Sequence, residues 1–171
     1  DLSIGDGTSF TIPAFGIIVN GTTTVGGGTS GSLIISSTPG VKRFDGLVTV
    51  NAGGTWNNSG NDVVVFRGGI TNSGTFTAGT GVQTFNTSAI QALTGSFVIP
   101  SVTVNVHTVL TNNNDLTVNT ALSGTGGLTQ ASNATLTIGG TSGITTSTAT
   151  NSGNTVNYSG VAQTVKSTNF A

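Results

Sequence analysis

The sequence contains no cysteine, no methionine and no glutamate. Without cysteine there is no disulfide framework, no thiolate metal site and no cysteine nucleophile. No apolar run approaches the ~20 residues that cross a bilayer, so we expect no membrane span. The chain opens directly on a predicted strand, with no signal-peptide pattern before it. We therefore expect a mature or excised segment.

Charge is also scarce, since Asp, Lys and Arg together make up 5% of the residues and the net charge is −1. An ordinary globular domain has roughly 25% charged residues. The chain therefore has no basic field for nucleic acid or for an anionic membrane surface. Its 35% hydrophobic content and low net charge argue against disorder. Thr, Ser and Asn must supply the polar surface.

Helical periodicity is nearly absent, whereas short β-type runs such as SLIIS, GLVTV, DVVVF and ATLTI occur throughout. Strands of about five residues alternate with Gly/Asn turns of two to four residues. This spacing predicts one all-β domain over residues 1–171, a right-handed parallel β-solenoid of about eight coils. The alternative is an antiparallel β-sandwich with donated strands, as in some pilus-like filaments.

Internal repeats support coils of about 20 residues. Leu116, Leu136 and Val156 are spaced by 20. The tetrapeptide Leu2–Gly5 returns as Leu136–Gly139, and the strand VQTF at 82–85 matches AQTV at 162–165. Eight coils at ~4.8 Å each would make a rod on the order of 40 Å long.

The two ends of the chain continue the same pattern when they are joined tail to head, as KSTNFADLSIGDG. We therefore expect each copy to pair head to tail with the next, as a homopolymer or as tandem repeats in one chain. The residues predicted to form this end-to-end interface are Leu2, Ser3, Ile4, Val165, Asn169 and Phe170.

Several motifs resemble a known class of repeats. They are L-[ST]-I before a Gly turn, G-T-W-N-N-S-G, I-T-N-S-G-T-F, and Q-T before an aromatic residue. They look like the Thr/Asn/Gly-rich β-solenoid repeats of large bacterial cell-surface and secreted proteins, both adhesin-like and autotransporter-like. The resemblance implies an extracellular or cell-surface location and a role as fibre, stalk or adhesin. It carries no catalytic motif, so we expect a structural protein that is not an enzyme.

Two kinds of residue could carry chemistry. His107 is the sole histidine, and the sequence offers it no glutamate or cysteine partner, which favours an ordinary surface or turn residue. Asp45 and Asp62 could stack one coil apart as a carboxylate pair, as in polysaccharide-degrading β-helices. Their neighbours favour turn positions instead. We expect no metal site and no cofactor.

A binding module is the remaining alternative. Trp56, Phe66 and Tyr158 could stack on the rings of surface glycans if all three point outward. Thr-x-Thr pairs such as Thr75–Thr77 and Thr135–Thr137 could form an ice-binding array, but in sequence they do not recur at one fixed phase. Lys42, Arg43 and Arg67 could form a basic spot, but Asp45 is close by and we expect a solvated ion pair instead.

Overall fold

The computed structural model describes residues 1–166 and the strand Asn169–Phe170. These residues form 24 β-strands, numbered β1 to β24 in chain order, and no helix. Three strands make one coil, and a strand generally pairs with the strand three further along the chain. About eight coils stack in this way, which confirms the predicted β-solenoid.

The solenoid has three faces, each built from one strand per coil. Face 1 is a single nine-stranded sheet of β1 (Leu2–Ile4), β4 (Thr23–Val25), β7 (Val48–Val50), β10 (Ile70–Asn72), β13 (Ile90–Thr94), β16 (Val109–Asn112), β19 (Gly127–Gln130), β22 (Thr146–Ala149) and β24 (Asn169–Phe170).

Face 2 consists of two four-stranded sheets. The first contains β2 (Ser9–Ile12), β5 (Ser32–Ile35), β8 (Thr55–Asn57) and β11 (Thr75–Thr77). The second contains β14 (Ser96–Val98), β17 (Asp115–Val118), β20 (Thr135–Ile138) and β23 (Thr155–Tyr158). Face 3 is a seven-stranded sheet of β3 (Ile17–Val19), β6 (Lys42–Phe44), β9 (Val64–Phe66), β12 (Gln83–Phe85), β15 (Ser101–Val104), β18 (Ala121–Ser123) and β21 (Thr141–Ser142).

Every pairing between described strands is parallel. The alternative of an antiparallel sandwich is therefore wrong. The chain makes each parallel pair by travelling once around the coil, so no hairpin is needed. The right-handed sense of the coil stays a prediction, based on the preference of parallel crossovers for that hand.

The core is a column of side chains that point inward at alternate positions of each strand. Leu116, Leu136 and Val156 stack in register on face 2, which confirms the 20-residue spacing read from the sequence. Leu116 and Leu136 are buried almost completely. On face 3, the rings of Phe44, Phe66 and Phe85 stack with centroids 6.1 and 5.6 Å apart. Stacked apolar side chains of this kind supply the hydrophobic stabilisation of each coil.

The number of residues per coil varies, and the turns between strands contain the extra residues. Thr23 pairs with Val48, 25 residues further on, whereas Val109 pairs with Gly127, only 18 further on. Corner residues such as Asn61 adopt left-handed φ angles, here 58°. Asn tolerates this region better than most residues because its short polar side chain can bond to the local backbone. The strands therefore stay in register while the turns change.

Two readings of the repeats are wrong. Leu2–Gly5 and Leu136–Gly139 look alike, but β1 lies on face 1 and β20 on face 2, so they are not equivalent positions. Residues 162–165 match β12 in sequence but form no strand. There the side chain of Gln163 accepts a hydrogen bond from the amide of Gly160 and donates one to the carbonyl of Gly140. These contacts hold the segment as a turn.

Candidate functional site

The segments predicted to form the end-to-end interface lie at the two edges of face 1. Leu2, Ser3 and Ile4 form β1, which pairs on one side with β4 and occupies one edge of the nine-stranded sheet. Asn169 and Phe170 form β24, which occupies the opposite edge and pairs with β22. The sequence therefore identified both terminal strands of one sheet.

At the first coil, one inward side chain on each face is incompletely covered, whereas Ile4, Ile12 and Val19 of the same coil are buried. Phe10 is 38% exposed, although its register partners Leu33 and Trp56 are fully buried. Leu2 and Ile17 occupy inward positions on the other two faces and are only partly buried. Within the described residues, no helix covers these three side chains. The first coil thus presents the cross-section of the core to its outer side.

The last coil is uncovered in the same way. Val156 and Tyr158 are partly buried, while Leu136 and Ile138, which precede them in register, are buried almost completely. The segment after β23 leaves a cavity of about 400 Å³ beside Thr141 and Ser142 of β21. Val165, the remaining predicted interface residue, lies in this segment outside any strand and is 61% exposed.

The predicted solvated ion pair forms at Asp45 with Arg43 and Arg67, but Lys42 does not take part in it. Arg43 holds Asp45 in a two-point contact, with Nε and Nη2 at 2.9 and 3.0 Å from the two carboxylate oxygens. Arg67 lies 3.7 Å from the same carboxylate. Lys42 is buried and pairs with Asp62 instead. Asp45 and Asp62 therefore face different cations, and the described structure does not join them as a catalytic carboxylate pair.

Asp6 organises the corner that follows Val25 in the second coil. Its Oδ1 accepts hydrogen bonds from the backbone amides of Ser30, Thr29 and Gly27 at 2.9, 3.2 and 2.7 Å. These bonds favour the ionised carboxylate and lower the pKa of Asp6 from 3.8 to about 2, the amide of Ser30 contributing most. The carboxylate thus serves as an acceptor for loop amides, which is a structural role.

His107 lies in an exposed turn after β15 with a left-handed φ of 63°. Its prediction as a surface or turn residue is confirmed, although the sequence also suggested a strand there.

The described residues contain no group of three or more His, Asp, Glu or Cys side chains placed to hold a metal ion. Within the same residues, no helix is long and apolar enough to cross a membrane.

The three aromatic residues proposed to stack on sugars do not point outward together. Trp56 and Phe66 are fully buried, with ring centroids 5.6 Å apart. Tyr158 packs against the core, and its hydroxyl accepts a hydrogen bond from the amide of Lys166 at 3.1 Å. Core packing therefore explains all three side chains.

Outward polar side chains, by contrast, line up along each of the two sheets of face 2, in two columns that are two residues apart within each strand. In the first sheet the columns are Ser9, Ser32, Thr55 and Thr75, and Thr11, Ile34, Asn57 and Thr77. In the second sheet they are Ser96, Asp115, Thr135 and Thr155, and Val98, Thr117, Thr137 and Asn157. No pairing between described strands joins β11 to β14, so the columns of the two sheets are separate.

The Thr-x-Thr pairs do not form one array. Thr75–Thr77 and Thr135–Thr137 lie outward in the two separate sheets of face 2, whereas Thr22–Thr24 lies at β4 on face 1, with Thr23 buried. The other two faces carry similar columns. On face 1 they are Ser3, Thr24, Thr49, Thr71 and Thr94, and Thr111, Thr129 and Thr148; on face 3 the column is Thr84, Thr103 and Ser123.

No protein-family model, curated protein or solved structure matches this chain. Its function is therefore inferred from its own fold and surface.

Proposed function

We propose that this chain is a structural, non-catalytic building block of an extracellular bacterial fibre or adhesin stalk, stacking end to end through its open β-coil ends. The exposure of Phe10 carries this proposal, because the same inward position is fully buried in the next two coils. An apolar side chain aimed along the axis of a core is buried when another coil continues that core.

The backbone supports the same role. In a parallel pair, alternate residues of a strand bond to opposite neighbours. Leu2 donates to Thr22 and Ile4 accepts from Gly26, both toward the second coil. The backbone groups of Ser3 thus face the free edge, where they can pair with a further strand by β-augmentation.

The partner that fits best is a separate copy of the chain, because in a direct tandem join Phe170 and Leu2 would be only three residues apart, too few for one coil. Stacked in phase, β24 of one copy lies beside β1 of the next, because both strands belong to face 1. Such a head-to-tail contact uses two different surfaces and does not close, so it makes an open filament. The resemblance to adhesin-like repeats supports the extracellular bacterial setting.

Electron microscopy of the purified chain tests the proposal. We expect thin rods with an axial repeat near ~40 Å, which corresponds to eight coils at ~4.8 Å. Phe10→Asp should leave folded but separate particles, since a carboxylate at the coil end opposes burial. Phe15→Asp is the matched control, because Phe15 is 73% exposed, lies outside the strands and is not part of the inward column. Separate wild-type particles at all concentrations, or rods from Phe10→Asp, would contradict stacking through this end.

A further inference from the structure

We propose that the side chains of Lys42 and Asp62 condense to a covalent amide bond, which cross-links two neighbouring coils of the solenoid. Nζ of Lys42 lies 2.5 Å from Oδ2 of Asp62, and the two side chains are 0% and 7% exposed. A charged hydrogen bond between nitrogen and oxygen is usually about 2.7–2.9 Å long, so this contact is unusually close. The reaction takes place within one copy of the chain and does not depend on stacking between copies.

The contact between these two side chains is not a hydrogen bond. Nζ donates to the carbonyl oxygens of Ser37, Pro39 and Gly40 at 3.2, 2.7 and 3.2 Å. These bonds account for the three N–H donors of an ammonium group. Oδ2 of Asp62 accepts no hydrogen bond from the described residues. The nitrogen therefore lies against the carboxyl group without sharing a donor with it, as two reacting groups do.

Both groups are held in place by the strands and turns around them. Lys42 is the first residue of β6 and pairs with Val64 of β9, which follows Asp62 by two residues. The amide of Asp62 donates to Oδ1 of the buried Asn58 at 3.0 Å, and Nδ2 of Asn58 donates back to the carbonyl of Asp62 at 2.8 Å. Because the fold keeps the two groups together, it supplies the proximity that accelerates a slow condensation.

The atoms of the reaction balance without an oxidant or a further reactant. One proton passes from Nζ to Oδ2, which turns the ammonium and carboxylate groups into an amine and a carboxylic acid. The nitrogen lone pair then attacks Cγ of Asp62, and a second proton moves from the nitrogen to Oδ2. That oxygen leaves as one water molecule, and Oδ1 remains as the carbonyl oxygen of the new amide. The amide of Val63 donates to Oδ1 at 2.8 Å, where it can stabilise the negative charge that develops during the attack.

The surroundings of the pair favour the product. Two buried charges carry a large desolvation cost, which a neutral amide does not. The expelled water can leave through an adjoining cavity of about 340 Å³, lined by Gly40, Val41, Lys42, Asp62, Val63 and Val65. Among the described residues, Lys42 forms an ion pair with no second carboxylate that could relay protons. We therefore expect the reaction to take hours to days, so that a freshly refolded chain holds the ion pair and a stored chain holds the amide.

Mass spectrometry of the denatured chain tests the proposal. The wild-type chain is purified in denaturant, refolded and kept for several days at physiological temperature, and we then expect it to be lighter than its sequence by one water. A sample kept in denaturant for the same time should retain the full mass, because the two groups no longer meet. Trypsin locates the bond, since it cleaves after Arg43 and Arg67. Residues 1–43 and 44–67 should remain joined as one branched peptide after complete digestion.

Two variants separate this pair from other sites. Lys42→Arg keeps the positive charge but replaces the amine with a guanidinium group, which is a poor nucleophile, so the variant should retain its full mass. Asp45→Ala is the matched control, because Asp45 contacts Arg43 and not Lys42. That variant should still lose one water relative to its own sequence. Circular dichroism checks that both variants are folded, and the branched wild-type peptide decides the question even if Lys42→Arg does not fold.

Three outcomes would overturn the proposal. The first is a folded wild-type chain that retains its full mass after storage. The second is a loss of water with residues 1–43 and 44–67 released as separate peptides, which would place the change elsewhere, for example in a succinimide at Asp45–Gly46. The third is an equal loss of water in folded Lys42→Arg. Rods in the electron microscope are compatible with any of these results, so this proposal and the proposed stacking fail separately.

Discussion

Lys42 and Asp62, one coil apart on the chain, meet in the wall of the solenoid with Nζ 2.5 Å from Oδ2. The side chain of Lys42 is fully buried and also donates to the carbonyls of Ser37, Pro39 and Gly40 at 3.2, 2.7 and 3.2 Å. The contact with Asp62 is an ion pair without the angular geometry of a hydrogen bond. It balances a cation that would otherwise be buried alone.

Asp62→Ala should lower the free energy of unfolding by ~3–5 kcal/mol, because it leaves a buried ammonium group without its counter-charge. Lys42→Met/Asp62→Ala should recover most of that loss, since no charge then remains buried. Asp45→Ala is the comparison at a partly exposed pair and should cost ~1 kcal/mol or less. Denaturant unfolding measures all three. Equal losses for Asp62→Ala and Asp45→Ala would show that burial does not matter here.

Asp6→Asn should lower the melting temperature at neutral pH but not in strong acid. The pKa of the folded carboxyl is about 2, below its ordinary value of 3.8. A lowered folded pKa stabilises the protein above the unfolded pKa, and the stabilisation is lost as the pH falls toward the folded pKa. Melting curves from pH 7 to pH 2 should therefore converge for variant and wild type at the acid end. Curves that stay separated by a constant amount would rule out this linkage.

Gly124→Ala should destabilise the protein, whereas Gly127→Ala should not. Gly124 has a φ of 113°, and a Cβ there would lie 2.0 Å from the carbonyl oxygen of Val104, so we expect a loss of ~1–3 kcal/mol or more. At Gly127 the nearest atoms to a Cβ are 3.8 and 3.9 Å away. Alanine there should be neutral or add ~0.4–1 kcal/mol by restricting the unfolded chain. The midpoints of denaturant unfolding measure both changes in stability. A Gly124→Ala variant as stable as the wild type would contradict the close approach of Gly124 to Val104 at this corner.

Trp56→Phe should cost much less than Trp56→Ala. Trp56 is fully buried between Phe44 and Phe76, with ring centroids 5.0 and 5.5 Å away. Truncation to alanine opens a cavity and should cost ~3–5 kcal/mol. Phenylalanine keeps most of the packing and removes an indole N–H that has no acceptor among the described protein atoms, which offsets ~1–3 kcal/mol. Unfolding followed by far-ultraviolet circular dichroism measures both. Similar losses for the two variants would indicate that the indole ring fits its site uniquely.

The fold was predictable because strand and turn signals are local. Short β-branched runs bounded by Gly and Asn identify strands, and their brevity excludes long hairpins. The 20-residue spacing of Leu116, Leu136 and Val156 was sufficient to identify one coil. Along face 2 these two coils have the same length, although along face 1 the same stretch has coils of 18 and 19 residues.

The surface was less predictable because a strand motif does not say which face it occupies. The pattern Leu-Thr-Val-Asn at 116–119 on face 2 resembles Leu-Val-Thr-Val at 47–50 on face 1. Because coils contain from 18 to 25 residues, residues that are paired in neighbouring coils are not separated by a constant number of positions in the sequence. The alignment of Thr75 with Thr55, and of Thr135 with Asp115, became visible only from the strand register.

The buried pair of Lys42 and Asp62 was missed for a related reason. In sequence, Lys42 stands beside Arg43 and close to Asp45, which suggested one solvated cluster. Successive residues of a strand point to opposite sides, so Lys42 turns inward while Arg43 turns outward. That alternation was the signal that could have separated them.

The parallel ladders between coils also determine how the rod responds to force. Their hydrogen bonds run along the long axis, so a pull on the two ends loads each bond along its length. A terminal coil is bonded to a neighbour on one side, and it therefore peels away first. A coil of about 20 residues that opens adds roughly 60 Å of extended chain in place of a ~4.8 Å step. A stalk built from such coils would lengthen in steps under tension and dissipate mechanical work at each step.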